Sequence, residues 1–140
     1  MDILRQKLNE IGRRDMAVAA VFIKNGRLLC GLRHYGLNDW KNISIWTTPG
    51  GRCDEDEKIE TTLRREVEEE VGFKNFEITE FLGKFPGAKE GDIVYGFGCR
   101  TDEEPRLMEP EKFSEWRWIA LSEIPTNFIN PPILDFLKKI

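Results

Sequence analysis

Histidine is almost missing from this chain: His34 is the only one, and with no identifiable partner it reads as a surface residue. Cysteine is scarce and odd in number. Cys30, Cys53 and Cys99 show no paired spacing, which argues against a disulfide framework and for reduced thiols in a cytoplasmic setting. No partner base stands near any of them, so each is expected in the core or on the surface rather than in catalysis. No apolar run approaches the length of a membrane span, and residues 1–14 contain nothing like a signal peptide, so no membrane partner is expected. An excess of positive charge is lacking too. A formal charge of −4 offers no electrostatic footprint for a nucleic-acid duplex, and an acidic protein that binds an anion needs local cations or a metal to receive it. There are no repeats and no low-complexity segments. At 40% hydrophobic and 33% charged, residues 1–140 read as one ordinary globular domain.

The informative stretch runs from Gly50 to Phe73, GGRCDEDEKIETTLRREVEEEVGF. Its second half, Arg64 to Gly72, has the spacing of an amphipathic helix, with Leu63, Val67 and Val71 forming one apolar stripe. Glu66, Glu69 and Glu70 fall at i, i+3 and i+4, so their carboxylates share the flank beside that stripe. Glu66 and Glu70 form a like-charge pair that costs an isolated helix about 0.2–0.5 kcal/mol. They also lie toward the C-terminus, where the helix dipole disfavours negative charge. Arg64 and Arg65 reach toward Glu68 and Glu69 at i+4, which leaves Glu66 and Glu70 without a local cation. A bound divalent metal would supply it; a solvated acidic face is the alternative.

Reading outward from the helix, the order is Gly51, five residues, Glu57, seven residues, Arg65-Glu66-Val67, one residue, Glu69-Glu70, one residue, Gly72-Phe73. This resembles the signature of the Nudix hydrolases, enzymes that cleave a nucleoside diphosphate linked to another group, and every fixed position is filled. The remaining chain also resembles that family. Ile3, Leu4, Leu8 and Ile11 have helical spacing, with Asp2 as N-cap and Gly12 as stop; this helix is read as covering a sheet edge or making a homodimer contact. Met16 to Ile23 and Arg27 to Arg33 read as strands joined at Asn25-Gly26. Tyr35 to Asn42 is a polar loop bearing Trp40, Ile43 to Thr48 a short strand, and Pro49-Gly50-Gly51 a break in which two glycines allow a tight turn. Phe76 to Lys84, Asp92 to Arg100 and Phe113 to Ala120 read as further strands, and Pro131 to Lys139 as a closing helix. The expected fold class is α/β, a Nudix-type α/β/α sandwich around a mixed β-sheet.

The resemblance also implies roles. Glu66, Glu69 and Glu70 would hold Mg²⁺ or Mn²⁺ together with the Gly50 carbonyl, and Glu69 or Glu66 would act as general base. Glu57 and Arg65 would pair to hold the helix and orient those carboxylates. Glu109-Pro110-Glu111-Lys112 followed by Trp116 and Trp118 looks like the tail of MutT-like nucleoside triphosphate diphosphatases, in which a loop acid joins the metal cluster. Glu111 is the first choice, ahead of Glu109 and Glu90. Arg33 closes a strand of the form LL-x-x-x-R that often contacts substrate, and its fork suits phosphate oxygens. Trp116, Trp118 and Tyr35 are candidates to stack on a base, with core packing the favoured role of all three. Trp46 is read as packing behind the site.

The implied chemistry is substitution at phosphorus by a metal-activated water. Ala88 stands where the ADP-ribose branch carries proline, with Pro86 nearest, and Tyr95 lies too far along for the diadenosine polyphosphate branch. The small-molecule substrate expected is therefore a (d)NTP, an oxidised one included, cleaved to NMP and pyrophosphate. ADP-ribose or a nucleoside diphosphate-sugar is the alternative substrate, and a Nudix-fold binding module without turnover the alternative class.

Overall fold

A computed structural model of the chain describes residues 2–34 and 44–140. Tyr35 and Trp40 lie outside the described residues. The centre is β1 (Met16–Lys24), a run of small and β-branched residues buried on both faces. Met16, Val18, Ala20 and Phe22 enter one apolar cluster, whereas Ala19 and Val21 enter a second on the opposite side. Period-two alternation assigns them so.

Asn25 and Gly26, both at positive φ (54° and 75°), turn β1 into β2 (Arg27–His34), the geometry a two-residue hairpin requires. β3 (Ser44–Thr47) and β7 (Phe113–Ala120) both pair antiparallel with β2. β6 (Ile93–Arg100) runs parallel to β1, and β5 (Glu77–Pro86) antiparallel to β6. The resulting seven-stranded mixed sheet has the order β3-β2-β1-β6-β5. α1 (Ile3–Leu8) and α2 (Ile59–Val71) pack against one face and α3 (Pro131–Lys139) against the other, which makes the expected α/β/α sandwich.

Three boundaries differ from the sequence reading. α1 ends at Leu8, not near Gly12, because Asn9 caps it and Ile11 is exposed at 51% and so outside the apolar face. Gly12 instead packs on Cys53, where a Cβ would stand 2.8 Å from the Cys53 Cβ. α1 rests on the edge strand β5 and on α2, anchored by buried Leu8. α2 starts at Ile59 rather than Arg64, since Ile59 extends the Leu63, Val67, Val71 stripe by one turn and all four are fully buried. Its Ile59 N–H is satisfied by the Glu10 carbonyl at 2.9 Å rather than by a capping side chain.

The third difference shapes the site. Gly50-Gly51-Arg52 is no tight turn but a strand, β4, paired antiparallel to the first half of β1 (Ala17↔Arg52, Val18↔Gly51, Ala19↔Gly50). The glycine at position 50 serves close approach: a Cβ there would lie 2.1 Å from the Val18 carbonyl oxygen. Two further expectations are settled by packing. Trp46 belongs to the cluster on the α3 face, so it does not back the acids of α2. All three cysteines are buried and unbonded to one another, and burial pushes the Cys30 and Cys99 thiols up to about 12. No described helix is long and apolar enough to cross a membrane.

Candidate active site

β4 and the second half of α2 lie face to face, and the glycines of β4 set how near they come. The Gly50 N–H donates to Glu70 Oε1 at 2.9 Å. A Cβ on Gly51 would stand 2.4 Å from the Glu66 carboxyl carbon, so only glycine lets that carboxylate lie along the strand. The three acids that share a flank in sequence are unequal in the fold. Glu70 is 6% exposed, while the Glu66 and Glu69 side chains are 16% and 48% exposed.

Burial dominates the electrostatics of the inner two. It pushes the Glu70 carboxyl up to about 8, against the opposing Gly50 N–H, and the charges of Glu66 and Glu109 add to the rise. Arg33 works the other way on Glu70. Glu66 is raised as well, first by burial, with Arg65 opposing and Glu69 and Glu109 reinforcing. Buried negative charge is thus poorly compensated here.

Arg65 does not use the i+4 partner that helix spacing offers first. Its fork grips Glu57, Nε to Oε2 at 3.0 Å and Nη2 to Oε1 at 2.8 Å, and Nη1 donates to Glu66 Oε1 at 2.9 Å. Glu69 is farther, at 3.6 Å. Arg64 turns away, bonding Glu60 and the Phe76 carbonyl. The expectation that Glu66 lacks a local cation is therefore corrected: a bidentate pair outcompetes a monodentate helix contact. Arg65 holds the Glu57 carboxyl down to about 2, against the effect of burial, with the Thr62 hydroxyl and the Asp54 N–H assisting.

The segment from Thr101 to Lys112 brings one more acid. Its start is fastened to the end of α2: the Glu103 carboxylate accepts the Lys74 and Asn75 N–H groups, and Arg106 donates from Nη2 to the Gly72 carbonyl and from its backbone N–H to the Val71 carbonyl. Gly72, at φ 76°, terminates the helix in the left-handed region. Glu109 then acts on both Glu66 and Glu70 and meets Lys112 at 3.3 Å. Glu111 and Glu90 are exposed.

Arg33 lies over the Phe113 ring at 5.4 Å, and Phe113 packs on Trp116 with centroids 4.7 Å apart. Trp116 and Trp118 are partly buried against the α2-side core. The Trp116 indole N–H is covered, with no acceptor among the described residues. Thr62 and Arg106 were not singled out from sequence. Thr62 stands at i−3 from Arg65, which places both on one flank, but nothing in the spacing of Arg106 points to the helix end.

Among the described residues, no three His, Cys, Asp or Glu side chains are gathered as a ready metal site. The donor chemistry nonetheless suits a hard divalent cation. The groups are carboxylate and carbonyl oxygens. Glu70 is buried and Glu66 half-buried, burial raises both carboxyls, and the missing Cβ of Gly51 leaves room for Glu66 beside the strand. Glu66 is committed to Arg65 and Glu70 to the Gly50 N–H as they stand.

A family model described as the NUDIX domain matches residues 13–139. An RNA pyrophosphohydrolase of Acidiphilium cryptum is 34% identical over 134 residues, covering 80% of this chain and 78% of that one. An RNA pyrophosphohydrolase of Erythrobacter litoralis is 27% identical over 108 residues, covering 62% of this chain and 66% of that protein, slightly under two thirds of its length. Among solved structures, a MutT NUDIX hydrolase from Burkholderia pseudomallei superposes with a TM-score of 0.64 at 23% identity, covering 89% of this chain and 97% of that one. An ADP-ribose pyrophosphatase from Streptococcus suis gives 0.68 at 18% identity, covering 88% and 86%. At these identities the structural likeness establishes the fold.

Proposed function

The chain belongs to the Nudix family of hydrolases, an enzyme of phosphoanhydride cleavage, and from that premise we propose that it converts a 5′-triphosphate to a 5′-monophosphate and pyrophosphate. The observation that carries this reading is the pair of raised carboxyls, buried Glu70 and half-buried Glu66, laid against a glycine strand beside the Arg33 guanidinium. Such a place favours a cation and, through it, a polyphosphate.

Glu66, Glu69, Glu70 and the Gly50 carbonyl would hold Mg²⁺ or Mn²⁺, with Glu109 supplying the loop acid in preference to exposed Glu111. When bound, the ion neutralises the phosphate oxygens and lowers the pKa of a nearby water. The chain's own residues do the rest. Glu57 and Arg65 fix where the Glu66 carboxylate lies. Glu69, the most exposed of the three, takes the proton of the attacking water, with Glu66 as its alternate. Arg33 receives phosphate oxygens through its fork.

Two sources of the triphosphate each have support. The relative from Acidiphilium is named an RNA pyrophosphohydrolase, which favours the triphosphate end of an RNA strand. The net charge of −4 favours a free nucleotide over a long polyanion. Turnover with Mg²⁺ of triphosphate-ended RNA, NTPs and dNTPs, ADP-ribose and a nucleotide sugar, with products identified, tests the proposal. Pyrophosphate and a 5′-monophosphate are expected from a triphosphate; AMP from ADP-ribose with all triphosphates untouched would refute it.

A further inference from the structure

We infer that Thr62 is a positioning residue for the hydrolytic site, its hydroxyl locking the Glu57 carboxylate to α2 and, through Arg65, setting where the Glu66 carboxylate lies. The inference rests on the reading of Glu66 as a cation-holding acid. Thr62 is fully buried within α2, where a threonine hydroxyl ordinarily bonds back to the carbonyl four residues earlier. Here the distance to the Lys58 carbonyl is 3.4 Å, whereas Glu57 Oε1 is only 2.6 Å away. The hydroxyl is committed to the carboxylate rather than to its own helix.

That commitment closes a ring. Glu57 precedes α2 and is held by both nitrogen arms of Arg65, a long side chain that can swing with its partner attached. Two bonds between Glu57 and Arg65 fix each relative to the other, but not relative to the helix. Thr62 adds a short, stiff arm from α2 itself, one turn before Arg65, and the Asp54 N–H at 3.2 Å ties the same oxygen to the preceding loop. With the carboxylate held on three sides, the remaining nitrogen of Arg65 is delivered to Glu66 at 2.9 Å, beside the gap left by Gly51.

Thr62→Val removes the hydroxyl and keeps the shape, and Glu57 Oε1 retains two donors, so the fold has little to lose. Mn²⁺ binding by electron paramagnetic resonance and steady-state kinetics on the triphosphate substrate are read alongside thermal unfolding. Thr62→Val is expected to weaken Mn²⁺ binding and lower kcat by about 10-fold each at unchanged KM, the size usual for outer residues of a metal site. Thr62→Ser, which restores the hydroxyl, should stay within about twofold of the parent on that scale. Parental Mn²⁺ affinity and kcat in Thr62→Val, with or without a lower Tm, would overturn the inference. If the parent hydrolyses a different anhydride, the substrate proposal fails while the Mn²⁺ comparison still decides the role of Thr62.

Discussion

The two flanks of α2 carry the same kind of side chain in opposite electrostatic conditions. On the flank toward α1, Glu60 takes Arg5 at 2.7 Å on one oxygen and Arg64 at 3.1 Å on the other. Burial alone would raise its carboxyl, but the two guanidinium groups more than reverse that, and it ends below the usual glutamate range. On the flank toward β4, burial and the charges of Glu66 and Glu109 outweigh the Gly50 N–H and Arg33, and Glu70 ends near 8. One flank is neutralised by the chain. On the other, burial outweighs the compensating groups, and this difference, rather than the number of glutamates, separates the proposed catalytic face from a solvated one.

The sharpest way to break the comparison is to remove charge from the β4 flank. Glu69→Gln keeps the size and polarity of the side chain while deleting the proposed base. Hydrolysis should fall by about 10³-fold or more, with the circular dichroism spectrum and Tm retained, as expected when a group acts mainly on the transition state. Unchanged turnover would remove Glu69 from the site.

A smaller effect, of the opposite sign, is expected for stability at Glu70. Its folded value near 8 lies above the ordinary 4.5, so the metal-free folded state keeps a proton that the unfolded chain releases across that window. Folded-state proton uptake makes stability highest below the unfolded value and lower as pH rises toward the folded one. The decline should reach ~2–4 kcal/mol across the window and vanish in Glu70→Gln, whose amide oxygen still accepts the Gly50 N–H. Urea unfolding of the metal-free protein at several pH values checks this. A Glu70→Gln variant that is inactive yet more stable at alkaline pH would mark Glu70 as a group kept for chemistry at a cost in folding. A slope that survives the substitution would assign the titration elsewhere.

What could be read from sequence divides by range. The Leu63, Val67, Val71 stripe, the strand Phe113–Ala120 and the helix Pro131–Lys139 follow from periodicity and caps, which are local properties. β4 reads as a turn in sequence because a glycine pair follows a proline. The reasons for those glycines, the Val18 carbonyl and the Glu66 carboxylate, come from distant parts of the chain. Arg65 shows the same limit: helix spacing points to Glu69, while the loop before the helix returns Glu57 to claim both arms. Thr62 and Arg106 matter through partners that the fold alone brings close.

The smallest expected effect sharpens the comparison from the other flank. Glu60→Gln removes a carboxylate on the same helix, yet its partners are exposed, and Arg64 retains the Phe76 carbonyl and its place over the Phe76 ring at 4.9 Å. Exposed ion pairs contribute about 0–1 kcal/mol, so Tm should drop slightly and turnover should not change. If turnover instead fell as steeply as in Glu69→Gln, the acids of α2 would be acting through the overall charge of the helix. Location beside β4 would then explain nothing. Equal activity in Glu60→Gln and its loss in Glu69→Gln together tie the chemistry to the flank where the glycine strand meets carboxyls that burial raises despite Arg65 and Arg33.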